Sequence, residues 1–334
     1  ASQRQLRGVV ADYDNPEHRA RIHERSPIDS GDFAGYRKLD RVPLHWRAPS
    51  SLRRCLASAP RSPTVNGTPG LNNPFSALTT HPSLVWQLTV RSVAGRYRGA
   101  NFGLIWAVVT PFLMLIVYSI AFGWVMRGHW PTTQGDAGYT EILFVGLIVH
   151  GFFAEALVAA PGLVVGNVNL VKRVVFPVEV LPWPLLLSGL FHTAMNILVL
   201  LGLYLVRYGL PPWTFVLLPI VILPLGLVVL GVGWLLGSLG VYFRDIAQMT
   251  GVLATAMLFL STAIVPISSI PEKYQFLFYI NPLSYIIDQA REVALWGQLP
   301  DWQGLGVYAL AALAFAWLSQ AWFRATRKGF ADVL

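Results

Sequence analysis

Cysteine and lysine are almost absent from this sequence, and both shortages exclude functions. Cys55 is the only cysteine, so the chain can form neither an intrachain disulfide nor a metal cluster held by cysteines. Only four lysines occur, and none of them follows a glycine. A glycine-rich loop ending in Gly-Lys-Ser or Gly-Lys-Thr, which cradles nucleotide phosphates, is therefore missing. The sequence does not predict a P-loop ATPase.

Other catalytic patterns are missing as well. The seven histidines form no His-Glu-x-x-His pair and have no acids at the spacing of metal ligands. The Gly-x-Ser-x-Gly turn that presents a serine nucleophile does not occur either. These absences argue against a metal enzyme and against a serine hydrolase.

Charge is scarce, whereas apolar residues are abundant. Hydrophobic residues make up 54% of the chain and charged residues 13%, and the mean hydropathy is +0.51. One soluble core cannot bury so much apolar surface, so we expect a membrane protein with several spans. The net charge of +8 does not indicate nucleic acid, because the basic residues outside the first 80 positions cluster beside the apolar runs.

Residues 81–98 form a basic amphipathic segment that leads directly into a long uncharged stretch. At about 100° per residue, an apolar stripe is predicted on one side and a polar stripe on the other. The apolar stripe consists of Trp86, Val90, Val93 and Tyr97, and the polar one of Gln87, Arg91 and Arg98. Such a helix favours the membrane surface, although an ordinary soluble amphipathic helix has the same pattern.

Six apolar runs follow, and we interpret them as six transmembrane helices. They cover roughly residues 99–126, 142–165, 183–206, 213–241, 246–265 and 304–323. Residues 1–80 lack periodicity and are predicted to be a mostly irregular cytoplasmic extension, ahead of the helix at 81–98 and a membrane domain over 99–334. Between runs five and six, two short helices are expected at 272–279 and 282–296, with Asn281 as the cap of the second.

Basic residues predict the orientation of these runs. One side of the membrane receives nine basic residues, namely Arg91, Arg96, Arg98, Lys172, Arg173, Arg244, Arg324, Arg327 and Lys328. The other side receives Arg127, Arg207, Lys273 and Arg291. Because cytoplasmic loops carry the excess of Lys and Arg, both termini are expected in the cytoplasm, and the two short helices are expected to dip into the bilayer from outside.

A few polar and aromatic side chains inside the runs are candidate functional residues. Glu155 is an acid well within a span, where it either pairs with an arginine or backbone group or lines a polar path. His192 and Asn196 lie one turn apart and favour hydrogen bonds between packed helices. Most aromatic residues are expected in packing and at the interfaces. A few could line a channel for sugar rings: Tyr118, Phe122, Phe152 and Phe153.

Colinear motifs over residues 81–334 resemble the membrane subunits of ABC-2 type polysaccharide exporters. They are RYRGANFGLIWAVVTPFLMLIVY, HGFFAEAL, NVNLVKRVVFPVEVLP, VYFRD, INPLSYIIDQAR and TRKGFADVL. The resemblance implies an all-α integral membrane protein of the bacterial inner membrane that moves a lipid-linked glycan such as O-antigen, capsule or teichoic acid. It also implies a homodimer that works with two separate P-loop ATPase subunits, which carry the ATP and Mg²⁺. No cofactor is expected on this chain, and no nucleic acid partner.

The resemblance also assigns roles to individual positions. The helix at 81–98, with Trp86, Arg91, Arg96, Tyr97 and Arg98, resembles an interface helix, and Arg96 and Arg98 could hold a lipid pyrophosphate or simply anchor the helix at anionic lipid. Residues expected to couple to the ATPase are Asn167, Asn169, Leu170, Lys172, Arg173, Phe176 and Pro177. Residues expected in gate helices on the external side are Tyr274, Phe278, Asn281, Pro282 and Tyr285. The extension of about 80 residues departs from the pattern of the family.

Three alternatives remain open from the sequence. An exporter of a drug or a lipid would share the same architecture. A membrane glycosyltransferase or polymerase would also bind lipid-linked sugar, but the external stretch offers only scattered acids without an obvious metal cluster. A scaffold that only binds its partners is the third.

Overall fold

The computed structural model describes residues 75–121, 138–171 and 176–334, and these residues are helical with no strand. Its longer helices are numbered here in chain order. They are α1 (Pro82–Tyr97), α2 (Trp106–Tyr118), α3 (Tyr139–Ala159), α4 (Pro182–Arg207), α5 (Leu218–Tyr242), α6 (Ile246–Phe259), α7 (Glu272–Ile280), α8 (Pro282–Ala294) and α9 (Trp302–Thr326). Shorter α-helical pieces are Ser76–Thr80, Gly162–Val165, Val168–Val171 and Phe330–Val333, and 3-10 turns are Gly103–Ile105, Val178–Val180, Trp213–Leu217, Ile267–Ser269 and Arg327–Gly329. The predicted all-α class is confirmed.

Five helical segments are long and apolar enough to cross a membrane. They are Gly103–Ala121, Tyr139–Ala159, Val178–Arg207, Trp213–Tyr242 and Trp302–Gly329. They correspond to five of the six predicted runs, with ends that differ by a few residues. The described part of the chain is thus a multi-pass bundle.

The remaining predicted run, 246–265, forms a shorter helix than expected. Helix α6 has 14 residues, which at 1.5 Å per residue is about 21 Å and less than the hydrocarbon thickness. The helix ends because Ser261 turns back to its own backbone: its hydroxyl donates to the carbonyl of Leu258 at 2.8 Å and accepts from the amide of Ala263 at 3.3 Å. The sequence-based prediction extended this run to residue 265, because the residues after the helix end are also apolar. We call residues 260–265 the broken segment.

Arg291 binds the residues that follow α6 to the rest of the bundle. Its side chain is fully buried in α8, and its guanidinium donates to the carbonyls of Thr262 at 2.7 Å and Ala263 at 2.8 Å in the broken segment. A third bond at 3.0 Å reaches the carbonyl of Ile142 in the first turn of α3. Arginine keeps its proton in proteins, so the guanidinium donates to all three carbonyls as a cation.

The two short helices after α6 match the prediction closely. Asn281 caps α8, because its side-chain oxygen accepts from the amide of Leu283 at 3.0 Å, and Pro282 is the first helical residue. The amide nitrogen of Asn281 also donates to the carbonyls of Met257 at 2.9 Å and Leu260 at 3.0 Å. One side chain thus starts α8 and satisfies the free carbonyl end of α6.

Glycines let the central helices approach closely. A Cβ at Gly233 would lie 2.9 Å from Cβ of Pro182, at the start of α4. A Cβ at Gly240 would overlap the backbone carbonyl of Pro161, which follows α3. At these glycines, neighbouring residues therefore lie directly against the backbone of α5.

Gly240→Ala should consequently destabilise the bundle by about 1 to 3 kcal/mol, because backbone on both sides must move to admit one methyl group. The matched control is Gly251→Ala in α6, where a Cβ would meet nothing within 4 Å. That control should be neutral or stabilising by up to about 1 kcal/mol, since alanine favours helix over glycine. The unfolding midpoint of each variant in detergent measures the difference, and equal midpoints for the two variants would contradict the close approach.

Candidate functional site

A cavity of about 650 Å³ lies where the end of α1 meets α2, α3 and α4. Its walls combine aromatic rings, small apolar side chains and a few polar groups. The aromatic and polar residues among them are Arg96, Tyr97, Trp106, Thr110, Tyr118, Phe144, Phe152, Glu155, His192, Thr193 and Asn196. Its size is typical of sites that hold small molecules or a segment of a larger one.

An ionic cluster occupies one wall of this cavity. Arg96 Nη2 of α1 lies 2.9 Å from Oε1 of Glu155 in α3, and Nδ1 of His192 in α4 lies 3.0 Å from the same oxygen. Nδ1 of His192 is also 2.8 Å from Nη1 of Arg96. A neutral Nδ1 accepts from Arg96 and a protonated Nδ1 donates to Glu155, so the tautomer of His192 decides which bond forms.

The sequence left two roles open for Glu155, an ion pair with an arginine and a place in the lining of a polar path, and the structure is compatible with both. Glu155 pairs with an arginine, and it also lines the cavity, because its side chain remains 22% exposed. The prediction that His192 and Asn196 bond between packed helices is confirmed for His192, which contacts Glu155 of α3, whereas Asn196 lines the cavity. Three helices meet at this carboxylate, and the charges of Arg96 and Glu155 balance.

Aromatic groups flank the cluster. Tyr97 contacts the ring of His192 edge-on at a centroid distance of 6.0 Å, and Tyr118 and Phe152 form part of the cavity wall. Burial raises the pKa of Tyr97, with Arg96 opposing the shift, so the phenol remains protonated at neutral pH. The site can therefore offer apolar ring faces beside hydrogen-bond donors, which is how proteins accommodate sugar rings with their C–H faces and hydroxyl groups.

Two of the aromatic residues proposed for the substrate path, and Trp86 of the interface helix, are not part of the large cavity. Phe153 is 3% exposed and packs in the core instead of lining the cavity, and Phe122 lies outside the described residues. Trp86 is 66% exposed on α1, where Val85 and Thr89 are the residues that pack inward.

The three arginines of the interface helix lie in three different environments. Arg98 is exposed just beyond the end of α1, outside the large cavity. Arg91 lines a smaller cavity of about 330 Å³ together with Asn167. Of the interface residues named from the sequence, only Arg96 and Tyr97 border the large cavity.

The predicted coupling residues lie in short pieces between α3 and α4. Asn167 donates from its amide to the carbonyl of Leu163 at 2.9 Å, which holds the turn before the helix Val168–Val171. Asn169 is exposed and Leu170 half-buried in that helix. Phe176 and Pro177 are half-buried and lead into the turn Val178–Val180, whereas Lys172 and Arg173 lie outside the described residues.

The predicted gate residues lie on α7, on α8 and between them. Tyr274 is 51% exposed, whereas Phe278 is buried against the bundle. Tyr285 stacks on Tyr308 of α9 at 5.9 Å and 19°, and burial together with the carboxylate of Asp301 raises its pKa to about 12. These contacts attach α8 firmly to α9 and leave α7 the more exposed of the two helices.

Sequence reasoning missed three ionic residues that connect helices. Arg291 was used only as a charge that sets orientation, yet it follows Ile287 by four residues, and this spacing places it on the buried face of α8. Glu141 is fully buried and pairs with Arg207 at 2.7 Å. The carboxylate of Glu179 accepts hydrogen bonds from Arg324 in α9 and from Arg327 just after it. No group of three potential metal ligands occurs among the described residues.

The cluster in the cavity can be tested by a double-mutant cycle. Arg96→Gln and Glu155→Gln should each destabilise the protein in detergent, and the double variant should lose less than the sum of the two. The expected coupling is about 0.5 to 1 kcal/mol, because Arg96 is half exposed and solvent screens the pair. Arg91→Gln, on the same helix, is the control and should add to Glu155→Gln without coupling. Strict additivity for Arg96 as well would show that the pair does not form.

The chain is similar to several known proteins. Residues 83–295 match the family described as ABC-2 type transporter. The O-antigen export system permease protein RfbA of Myxococcus xanthus is 25% identical over 257 residues, which cover 76% of this chain and 96% of that protein. A protein of the same name from Klebsiella pneumoniae is 25% identical over 74% of this chain and 93% of its own length. The polysialic acid transport protein KpsM of Escherichia coli is 24% identical over 71% and 91%, respectively. Because the family match covers more than half of the sequence, the chain belongs to the ABC-2 type transporter membrane family.

Proposed function

We propose that this protein is the membrane subunit of an ATP-driven exporter that moves a lipid-linked polysaccharide, similar to O-antigen, from the cytoplasm across the inner membrane. The observation that carries the proposal is similarity over nearly the whole length of relatives whose names include O-antigen export and polysialic acid transport. The cavity beside α1 supports it, because ring faces and hydrogen-bonding groups line the same space.

Six crossings are part of the proposal. Helix α6 and the non-helical residues after it would together cover the membrane thickness that α6 alone does not. Non-helical backbone at membrane depth needs protein donors, and Arg291 and Asn281 supply them. With six crossings both termini would lie in the cytoplasm, and α7 and α8 would face outward as gate helices.

ATP hydrolysis is assigned to a separate subunit, because the sequence has no phosphate-binding loop. In this proposal two copies of the chain form the conduit, and two P-loop ATPase subunits bind ATP and Mg²⁺ and dock on residues 167–177. The described ends of this segment support such a role, since Val171 and Phe176 pack against the core of the bundle. Closure of the ATPase pair would then move helices attached to that segment.

The cavity suggests where the substrate enters. Arg96 is paired with Glu155 but remains 48% exposed, so a phosphate group of a lipid carrier could reach its guanidinium. Tyr97, Tyr118 and Phe152 would then contact the first sugars. The competing idea, that Arg96 only anchors α1 at anionic lipid, predicts the same transport with Arg96→Gln as with wild type.

Reconstitution tests the proposal directly. Permease and ATPase incorporated together into vesicles should move a lipid-linked glycan only when ATP is supplied. Movement by the permease alone, or hydrolysis of ATP by the permease alone, would contradict the division of labour. Transport of a small drug but no glycan would favour a drug exporter of the same family.

Charge reversal at the docking segment gives a sharper result. Lys172→Glu with Arg173→Glu should weaken association with the ATPase at least about tenfold, because like charges would face the partner's acidic groups. Membrane insertion should be unchanged. The control is Lys273→Glu, which removes a lysine predicted on the opposite face and should leave association intact. Co-purification of the subunits measures both, and equal recovery of ATPase with all variants would refute docking at this segment.

A further inference from the structure

Glu179 lies where the predicted docking segment joins the membrane bundle. It belongs to the turn Val178–Val180, between Pro177 and the start of α4. Its carboxylate accepts from Nε of Arg324 at 3.0 Å and from Nη1 of Arg327 at 2.7 Å. Arg324 is in the last turn of α9, and Arg327 begins the 3-10 turn that follows. We call these three residues the Glu179 latch.

The backbone of the same residue is fixed to a different helix. Nε1 of Trp234 in α5 donates to the carbonyl of Glu179 at 3.2 Å, and Trp234 is fully buried. The neighbours Val178 and Val180 are buried as well. Residue 179 is therefore attached to α5 through its main chain and to α9 through its side chain.

Helices α5 and α9 are themselves packed as one unit. A Cβ at Gly231 in α5 would lie 2.5 Å from the ring of Phe315 in α9, so the ring sits directly on the glycine backbone. At the latch end, the hydroxyl of Tyr242 donates to the carbonyl of Thr326 at 2.8 Å. The ring of Phe330 contacts both Tyr242 and Phe323. A force applied at Glu179 therefore acts on both helices.

From these contacts we infer that the Glu179 latch transmits movement of the docking segment to the α5–α9 pair, and that Glu179 is a positioning residue for transport. This inference rests on the proposed function, since it assumes an ATPase that moves residues 167–177. The chain itself connects that segment to α3 and α4, and Val171 and Phe176 pack against the apolar core. The latch adds a charge-assisted connection to α9, and the bond from Trp234 to the Glu179 carbonyl adds α5, so four helices respond to one displacement.

Two substitutions of Glu179 distinguish a role of its charge from a role of its packing. The carboxylate is 16% exposed and binds two guanidinium groups, one of which, on Arg324, is 18% exposed. Glutamine preserves the shape of the side chain but removes the negative charge, whereas aspartate keeps the charge and shortens the chain by one methylene. A latch that works through charge favours Glu179→Asp over Glu179→Gln, and a packing role favours the reverse order.

The experiment uses the reconstituted complex of permease and ATPase, and it measures glycan moved per ATP hydrolysed. Glu179→Gln should keep ATPase association and ATP hydrolysis but lower this ratio about tenfold, the range of a typical coupling between sites. Glu179→Asp should retain most of the ratio. Arg327→Gln, which removes the more exposed arm of the latch, should give an intermediate value. Arg244→Gln removes an exposed charge just beyond the same end of α5 and should match wild type.

Each result bears on the latch. A wild-type ratio in Glu179→Gln, a better ratio for Gln than for Asp, or an equal loss in Arg244→Gln would overturn it while leaving the proposed function intact. A wild-type complex that hydrolyses ATP without moving glycan would overturn the proposed function, and the transmission role with it. Size-exclusion profiles identify any variant that misfolds, and Arg327→Gln then decides the question, because its side chain is 48% exposed.

Discussion

Unpaired backbone carbonyls cannot persist inside an apolar bundle, and this constraint organises the region around α6. The helix ends at Phe259 although apolar sequence continues, so several carbonyls lose their helical partners there. Donors come from a different part of the chain: the amide of Asn281 and the guanidinium of Arg291. Helix α8 and its cap therefore stabilise the end of α6, and α8 is attached to α3 by the same arginine.

Carboxylates in the bundle follow a related rule, since three of them join helices that are distant in sequence. Glu155 connects α3 to Arg96 of α1 and His192 of α4, and Glu141 connects the first turn of α3 to Arg207 at the end of α4. Glu179 connects the start of α4 to the end of α9. Because burying a lone charge in an apolar environment is costly, each acid keeps the helix that carries its partner close by.

Much of this architecture could be predicted from local sequence. Asn281-Pro282 specified the start of α8, because capping depends on two adjacent residues and their own backbone. The runs that became α4 and α9 were recognised because continuous apolar composition suffices to define a span. The end of α6 was missed because hydropathy does not report where Ser261 turns back to the backbone. Glu155 was identified as unusual, but its partner on α1, 59 positions earlier, is a tertiary contact that no local pattern encodes.

The three acids also differ in how much freedom they leave to their partners, and this difference separates attachment from transmission. Glu141 is fully buried, and one of its oxygens has no hydrogen-bond partner among the described residues, so any movement of Arg207 would leave a buried carboxylate without its cation. That pair is suited to hold α3 and α4 rigidly. Glu155 and Glu179 are partly exposed and each faces two basic or imidazole groups, so one contact can lengthen while another persists. A partly exposed carboxylate with two partners tolerates displacement at a lower cost than a fully buried carboxylate with one, because water and the second partner continue to solvate the charge. The helices joined by Glu155 and Glu179 can therefore shift while they remain connected, whereas those joined by Glu141 move together.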